Sequence, residues 1–286
     1  MPAQMTMEDK STGPGREDLT DEESGRISAM NDLKTVLITG ASGNLGAKLR
    51  RHLQGRYELR LLDIDPKGDP DVKQADLSAW NEDWVGQMEN VDTVVHFAAN
   101  PSPCTSWAGL IGPNIDALFH LFAAAVSRGV KRVVFASSNH VMGAYQNIPE
   151  PKVLTADTPP HPGADWKLGE TLCNSAPYGA AKLMGERLGK VYAKAHGLSC
   201  IAVRIGWTRF GENRGSDIPA ECGDWFRLMW LSNRDFCQLM ERCIEADPAI
   251  RFAVINGMSA NTGMRWDIEN ARELVGYEPV DDVCDQ

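Results

Sequence analysis

Tyr178 and Lys182 are four residues apart in a stretch with helical periodicity, so they share one helical face. A free tyrosine, with a pKa near 10, is a poor base at neutral pH, and a neighbouring ammonium favours its phenolate. A lone Tyr-x-x-x-Lys is more often a plain helix surface pair. Ser138 changes that balance. It ends the apolar run Arg132–Ser138 (RVVFASS), where a hydroxyl can hydrogen-bond both a reacting oxygen and the tyrosine.

A second cluster points to phosphate. Gly40, Gly43 and Gly46 follow the apolar run Thr35–Thr39 and open a helical segment. Gly40 permits a tight turn, Gly43 lets a pyrophosphate approach the backbone, and Gly46 lets the helix pack close to the strand. Ser42, Asn44 and Leu45 lie between them, at a helix N-terminus that offers free N–H groups and a positive dipole end. Asp63 ends the next strand about twenty residues on. A carboxylate there accepts hydrogen bonds from ribose hydroxyls and repels a 2′-phosphate, which favours NAD over NADP. Asp63-Ile64-Asp65-Pro66 is also good turn chemistry. Asp76 and Leu77 could flank the adenine, or Asp76 could cap the next helix. Ile64, Ala98, Ala99 and Asn114 complete the expected cofactor set, with Tyr178 and Lys182.

Positioning these groups takes alternating strands and helices. Strands are expected at 35–39, 57–63, 72–76, 92–99, 132–138, 199–206 and 251–255. Helices are expected at 43–54, after a Ser78 cap, and at 114–127, 178–196, 235–247 and 267–275, the last capped by Asp267 and stopped by Gly276. Near-continuously apolar strands between helices imply an α/β fold: a doubly wound parallel sheet, the Rossmann fold, with ligands beyond the carboxyl ends of its strands. A small C-terminal substrate-binding region is expected to complete it. Residues 1–32 are polar and acidic and read as a disordered tail. Residues 33–286 form the NAD-binding domain, with substrate-binding insertions near 141–176, 207–234 and 256–286. The first of these is a long loop with Trp166 and several prolines, suited to lid or reshape a pocket.

Composition narrows the partners. The 286 residues, 43% hydrophobic, suffice for one sizeable core. A formal charge of −10 leaves no basic surface for nucleic acid. No apolar run reads as long enough to span a bilayer, so no membrane partner is expected. Seven cysteines without a Cys-x-x-Cys pair argue against a disulfide framework or zinc site and for a reducing, cytoplasmic setting. No His/Asp/Glu cluster has metal-ligand spacing, so no metal is expected. His96 and His120 read as core histidines.

The glycine loop, strand-end serine and Tyr-x-x-x-Lys, in this order, resemble the extended short-chain dehydrogenase/reductases, the NAD-dependent epimerase/dehydratase family, from Lys34 to about Val280. The segments 133–143 (VVFASSNHVMG), 203–206 (VRIG), 229–236 (MWLSNRDF) and 256–267 (NGMSANTGMRWD) more closely resemble uronate dehydrogenases and archaeal NAD-dependent glucose-6-phosphate dehydrogenases. The resemblance implies a catalytic trio of Ser138, Tyr178 and Lys182, substrate contacts from Asn139, His140 and Ser102, and an arginine for an anionic group: Arg227 first, Arg214 second. It implies an NAD-dependent oxidoreductase that oxidises the anomeric carbon of a small sugar (hexose phosphate, uronate or free aldose) to a lactone. Trp207 stands where uronate enzymes carry a small polar residue. The chain ends soon after Tyr277-Glu278-Pro279, without the large C-terminal part that holds a nucleotide-sugar in epimerases. A nucleotide-sugar epimerase or dehydratase, or a non-catalytic NAD-binding regulatory protein, remain the alternatives. The apolar helices after Pro113 and Tyr178 form dimer bundles in related enzymes, so a homo-oligomer is expected.

Overall fold

Seven short apolar runs become one parallel sheet. In chain order they are β1 (Thr35–Thr39), β2 (Glu58–Asp63), β3 (Val72–Gln74), β4 (Thr93–His96), β5 (Arg132–Ser138), and, after the hairpin described below, β8 (Ser199–Ile205) and β9 (Phe252–Gly257). Their spatial order is β3-β2-β1-β4-β5-β8-β9. Every pairing is parallel. The order reverses between β1 and β4, which opens a crevice at the carboxyl ends. The computed structural model describes residues 33–168 and 170–285. The tail expected at 1–32 lies outside the described residues. Lys34–Gln286 gathers into one compact unit.

Side chains of period two send each strand into two cores. Val36, Ile38, Val95, Val134, Ile201 and Val203 face one side, against α1 (Asn44–Leu53) through Leu49 and Leu53. On the same side lies α7 (Asn233–Glu245), through Phe236, Leu239 and Met240. Leu37, Val94, Val133, Phe135 and Ala202 face the other side. There they meet the short α2 (Glu82–Val85) and α4 (Ala117–Ser127). The 21-residue α5 (Ala176–His196) lies on this side through Leu188 and Tyr192. This double burial is why the strands are apolar almost throughout.

Four expectations are corrected. The segment before Tyr178 is not all loop: β6 (Asp165–Leu168) and β7 (Thr171–Asn174) pair as an antiparallel hairpin. Two four-residue strands carry too few alternations to be read from sequence. Ser78 does not cap α2; Asn81 does, accepting from Asp83 N, while Ser78 bonds Asp76. Asp267 is likewise not the cap of α8 (Glu269–Val275). Ile268 holds that position and Asp267 accepts from Glu269 N, but Gly276 does end the helix in the left-handed conformation.

The fourth concerns the helix expected from Asn114. It continues a run that starts with α3 (Trp107–Leu110) and passes through a π turn at Ile111–Asp116. Pro113 would interrupt an ordinary α-helix; the wider turn accommodates it. The whole run, Trp107–Ser127, is long and apolar enough to cross a bilayer by length and composition. Leu118, Leu121 and Phe122 instead pack on the sheet.

The three expected insertions meet around a third core. Val141, Met142, Tyr145 and Leu154 join Met229, Met258, Trp266 and Ile268, with Trp207 and Phe226 at its edge. This cluster floors the region beyond β5 and β8, alongside α6 (Gly223–Arg227).

Candidate active site

A cavity of about 1640 Å³ runs across the carboxyl ends of the strands. At one end lies the glycine loop. Gly40 has φ +70°, and a Cβ there would come within 2.7 Å of Ala98 N. A Cβ on Gly46 would come within 2.2 Å of Gly40 O. Both are therefore fixed by close backbone approach. α1 begins after Gly43 with no side-chain cap and no acidic residue in its first turn, which leaves its leading N–H groups for an anion. Among the described residues, Thr208 Oγ1 and Asn139 Oδ1, on residues that line the cavity, are buried polar atoms without a protein partner. A cradle closed to any Cβ, an uncapped helix start and orphaned polar atoms fit a bound dinucleotide.

Asp63 lines this end and also braces it: Oδ2 accepts from Ser42 N at 2.9 Å and Oδ1 from Asp65 N at 3.0 Å. Gly40, Gly43, Asn44, Leu45, Gly46, Ile64, Asp76, Leu77, Ala98 and Ala99 line the same cavity. Lys67, which the sequence did not single out, sits beside them and donates to Ser42 O at 2.9 Å. Ser42 and Asn114 stand one layer behind. Asn114 accepts from Asn100 N at 2.8 Å and donates to Asn100 O at 3.2 Å, which pins the loop after β4. His96 and His120 both hold structural contacts. His96 is buried against Thr39 Oγ1 at 2.7 Å, and burial, then Lys182, pushes its pKa down to about 3. His120 meets Leu77 O at 2.9 Å.

Ser138, Tyr178 and Lys182 converge at the middle of the cavity. Ser138 closes β5, and Oγ accepts from His140 N at 3.2 Å, capping the 3₁₀ turn that follows. Tyr178 is in the first turn of α5, with Pro177 at the helix start, where its fixed φ suits helix entry. One turn on, Lys182 Nζ donates to Ala136 O at 2.9 Å and lies 5.8 Å from the Tyr178 ring centre. Burial lowers Lys182 to about 8. The expected net lowering of the tyrosine is corrected. Burial pushes Tyr178 up to about 12, opposed by a hydrogen bond with Ser138, because removing a phenolate from water outweighs that one bond.

Asn139 and His140 follow into the cavity. Asn139 Nδ2 donates to Ile205 O at 3.1 Å. His140 Nδ1 meets Ser175 Oγ at 2.7 Å, and burial lowers its pKa to about 4, which keeps the ring neutral. Its ring stands edge-on to Tyr178 at 5.7 Å and 5.8 Å from Trp166 on the hairpin. Ser102 lines the far wall, with Trp166, Lys167, Trp207, Phe210 and Phe226.

Arg227 is not brought to the cavity. Its Nη2 points to Val283 O at 3.5 Å and Cys284 Sγ at 3.6 Å. On the short helix α6, Phe226 takes the inward position, and the next residue is turned about 100° away. Arg214 is exposed and also outside the cavity lining. Among the described residues, Lys167 is the cation lining this end, on a hairpin that carried no readable signal. Among the described residues no group of three His, Cys, Asp or Glu is placed to hold a metal.

Comparison with known proteins agrees with this architecture. The chain is 36% identical over 265 residues to an NAD-dependent glucose-6-phosphate dehydrogenase of Haloferax volcanii, covering 87% of this chain and 94% of that protein. It is 30% identical to an L-arabinose 1-dehydrogenase (NAD(P)(+)) of the same organism, over 86% and 96%. The crystal structure of a uronate dehydrogenase mutant from Agrobacterium tumefaciens, complexed with NAD, superposes with a TM-score of 0.71 at 30% identity, covering 88% of this chain and 86% of that one. Residues 36–222 match the model of the NAD dependent epimerase/dehydratase family. With a glycine cradle, a doubly wound sheet and relatives matched over nearly their whole length, the chain belongs to the NAD-dependent epimerase/dehydratase family.

Proposed function

We propose that the protein is an NAD-dependent dehydrogenase that oxidises the C1 hydroxyl of a small sugar to a lactone. The observation that carries this is the meeting of Ser138, Tyr178 and Lys182 in the cavity that also holds the glycine loop. Relatives named for glucose 6-phosphate, arabinose and uronate support a small sugar as the substrate class.

Ser138 and Tyr178 hold the C1 hydroxyl, and Tyr178 Oη takes its proton. A phenol near 12 needs positive charge to act near neutrality, and Lys182, near 8, is still largely protonated at pH 7. Residues 40–46, Asp63 and Lys182 would hold NAD, which would supply the hydride acceptor. Asn139, neutral His140 and Ser102 orient the sugar's other hydroxyls, and Trp166, Trp207 and Phe226 present rings to its C–H faces and exclude water. With Arg227 directed elsewhere, Lys167 is the group that would meet an anionic substituent. The homo-oligomer belongs to the same proposal: Trp107, Ile111 and Phe119 are exposed along the 107–127 run and Val191 on α5, where a second copy would cover them.

The test is NADH formation, followed by absorbance, with neutral aldoses, hexose phosphates and uronic acids. Tyr178→Phe should lose about 10²–10⁴-fold in turnover while NAD affinity changes little. Unchanged turnover in that variant, or conversion of a nucleotide-sugar without net NADH, would overturn the reading.

A further inference from the structure

Two thiols that the proposed chemistry leaves unused meet at the cavity wall. Cys104, in the loop after β4, is exposed and lines the cavity. Cys173, on β7, is buried and pairs in register with Trp166 on β6. The residues are 69 positions apart in sequence, yet their sulfurs are 3.0 Å apart. We propose that this pair is a reversible oxidation site for low-molecular-weight disulfides, whose closure fastens the hairpin to the loop after β4 and slows sugar turnover. The effect on turnover rests on the function proposed above.

A disulfide bond measures about 2.05 Å, so closure needs roughly 1 Å of movement. Residues 101–106 have no regular secondary structure. They are held mainly through Asn100 Oδ1, which accepts from Ser102 N and Thr105 Oγ1, so this side can yield. The consequence reaches the catalytic centre through a chain of ring contacts. Trp166, opposite Cys173, packs on His140, and His140 packs on Tyr178. Trp166 also meets Phe226 edge-on at 6.2 Å. A covalent tie between loop and hairpin fixes two stretches of the lining to each other, the loop that carries Ser102 and the hairpin that carries Trp166 and Lys167. Sugar entry and lactone release then lose the freedom of both stretches.

The chemistry balances as two exchanges. The Cys104 thiolate attacks the small disulfide and forms a mixed disulfide, and the first small thiol leaves. The Cys173 sulfur then displaces the second small thiol and closes the Cys104–Cys173 bond. Two cysteines are oxidised, one small disulfide is reduced to two thiols, and the cysteine protons end on those thiols. Partial loss of water at the cavity wall, then the neighbouring Cys173 thiol, raises Cys104 to about 11. Thiolate is therefore scarce near neutrality, and the pair closes slowly, under sustained oxidation rather than brief exposure.

The experiment incubates the purified full chain with oxidised glutathione, blocks free thiols, and maps disulfides by peptide mass spectrometry. In parallel, kcat/KM for the sugar is measured before and after dithiothreitol. The expected result is a Cys104–Cys173 cross-linked peptide with kcat/KM lowered at least about five-fold, restored by dithiothreitol, while NAD affinity stays unchanged. Cys173→Ser should yield no cross-link and no response to glutathione disulfide. Absence of that peptide, cross-linked enzyme with unchanged kcat/KM, or a Cys173→Ser variant that responds like the wild type would each overturn the proposal. A reduced enzyme that oxidises no sugar would instead count against the function proposed above, and the peptide map would still decide the pair.

Discussion

Lys182 carries its amine inside the protein, against Ala136 O and two aromatic rings. Its pKa falls from the ordinary 10.5 to about 8 because burial penalises the ammonium. Between pH 8 and 10.5 the unfolded chain holds a proton that the native state has released, so stability rises with pH in that window. The gain is on the order of 3 kcal/mol. Lys182→Met removes this titration. Wild type should therefore gain on the variant in urea midpoint as pH rises from 8 to 10.5, and a difference that stays flat with pH would contradict the buried charge. A residue needed for charge thus lowers stability at neutral pH, as functional sites commonly do.

At the scale of elements, the site depends on how β5, β8 and α5 are locked together. Glu186 lies one turn beyond Lys182, and both it and Arg204 on β8 are almost fully buried. Arg204 donates to both Glu186 oxygens at 2.9 Å, and Ser137 Oγ donates to Oε1 at 2.7 Å. This network fixes the strand end that presents Ser138. Glu186→Ala leaves a buried guanidinium and a hydroxyl unpaired and should cost about 3–5 kcal/mol, read from chemical denaturation. On the other side of the sheet, Asn44 Nδ2 donates to Thr208 O and Lys48 Nζ to Arg209 O, so α1 holds the loop after β8 over the glycine cradle. The glycine spacing, the seven strands and the long helix from Tyr178 were legible because each follows a local period. The hairpin was not, because its strands are too short to show one. Nor was the π turn, because Gly112-Pro113 reads as a break.

The whole molecule carries −10 charge yet exposes several large apolar side chains: Trp107, Ile111 and Phe119 on the helical run and Val191 on α5. These side chains are where the proposed contact with a second copy would lie. Light scattering should give the mass of a homo-oligomer, and Phe119→Glu should shift it toward monomer; a monomeric wild type would remove the proposal. The same scale explains the 107–127 run. A helix laid on a sheet needs apolar residues on its inner face, and covering its outer face too gives it the composition of a membrane span.

The sequence by itself determined the strand-helix alternation, the parallel doubly wound sheet and the residues gathered at its carboxyl edge, because burial on both faces writes apolar runs and close backbone approach demands glycine. Tertiary structure alone decided what surrounds those residues. It put Phe226 rather than Arg227 toward the cavity, brought Lys167 and Trp166 to it on an unforeseen hairpin, and set Cys104 against Cys173. It also raised Tyr178 to about 12 instead of lowering it. Side-chain direction on a one-turn helix, contacts 69 residues apart and the water lost around a phenol are sums over neighbours distant in the chain, and no local pattern records them.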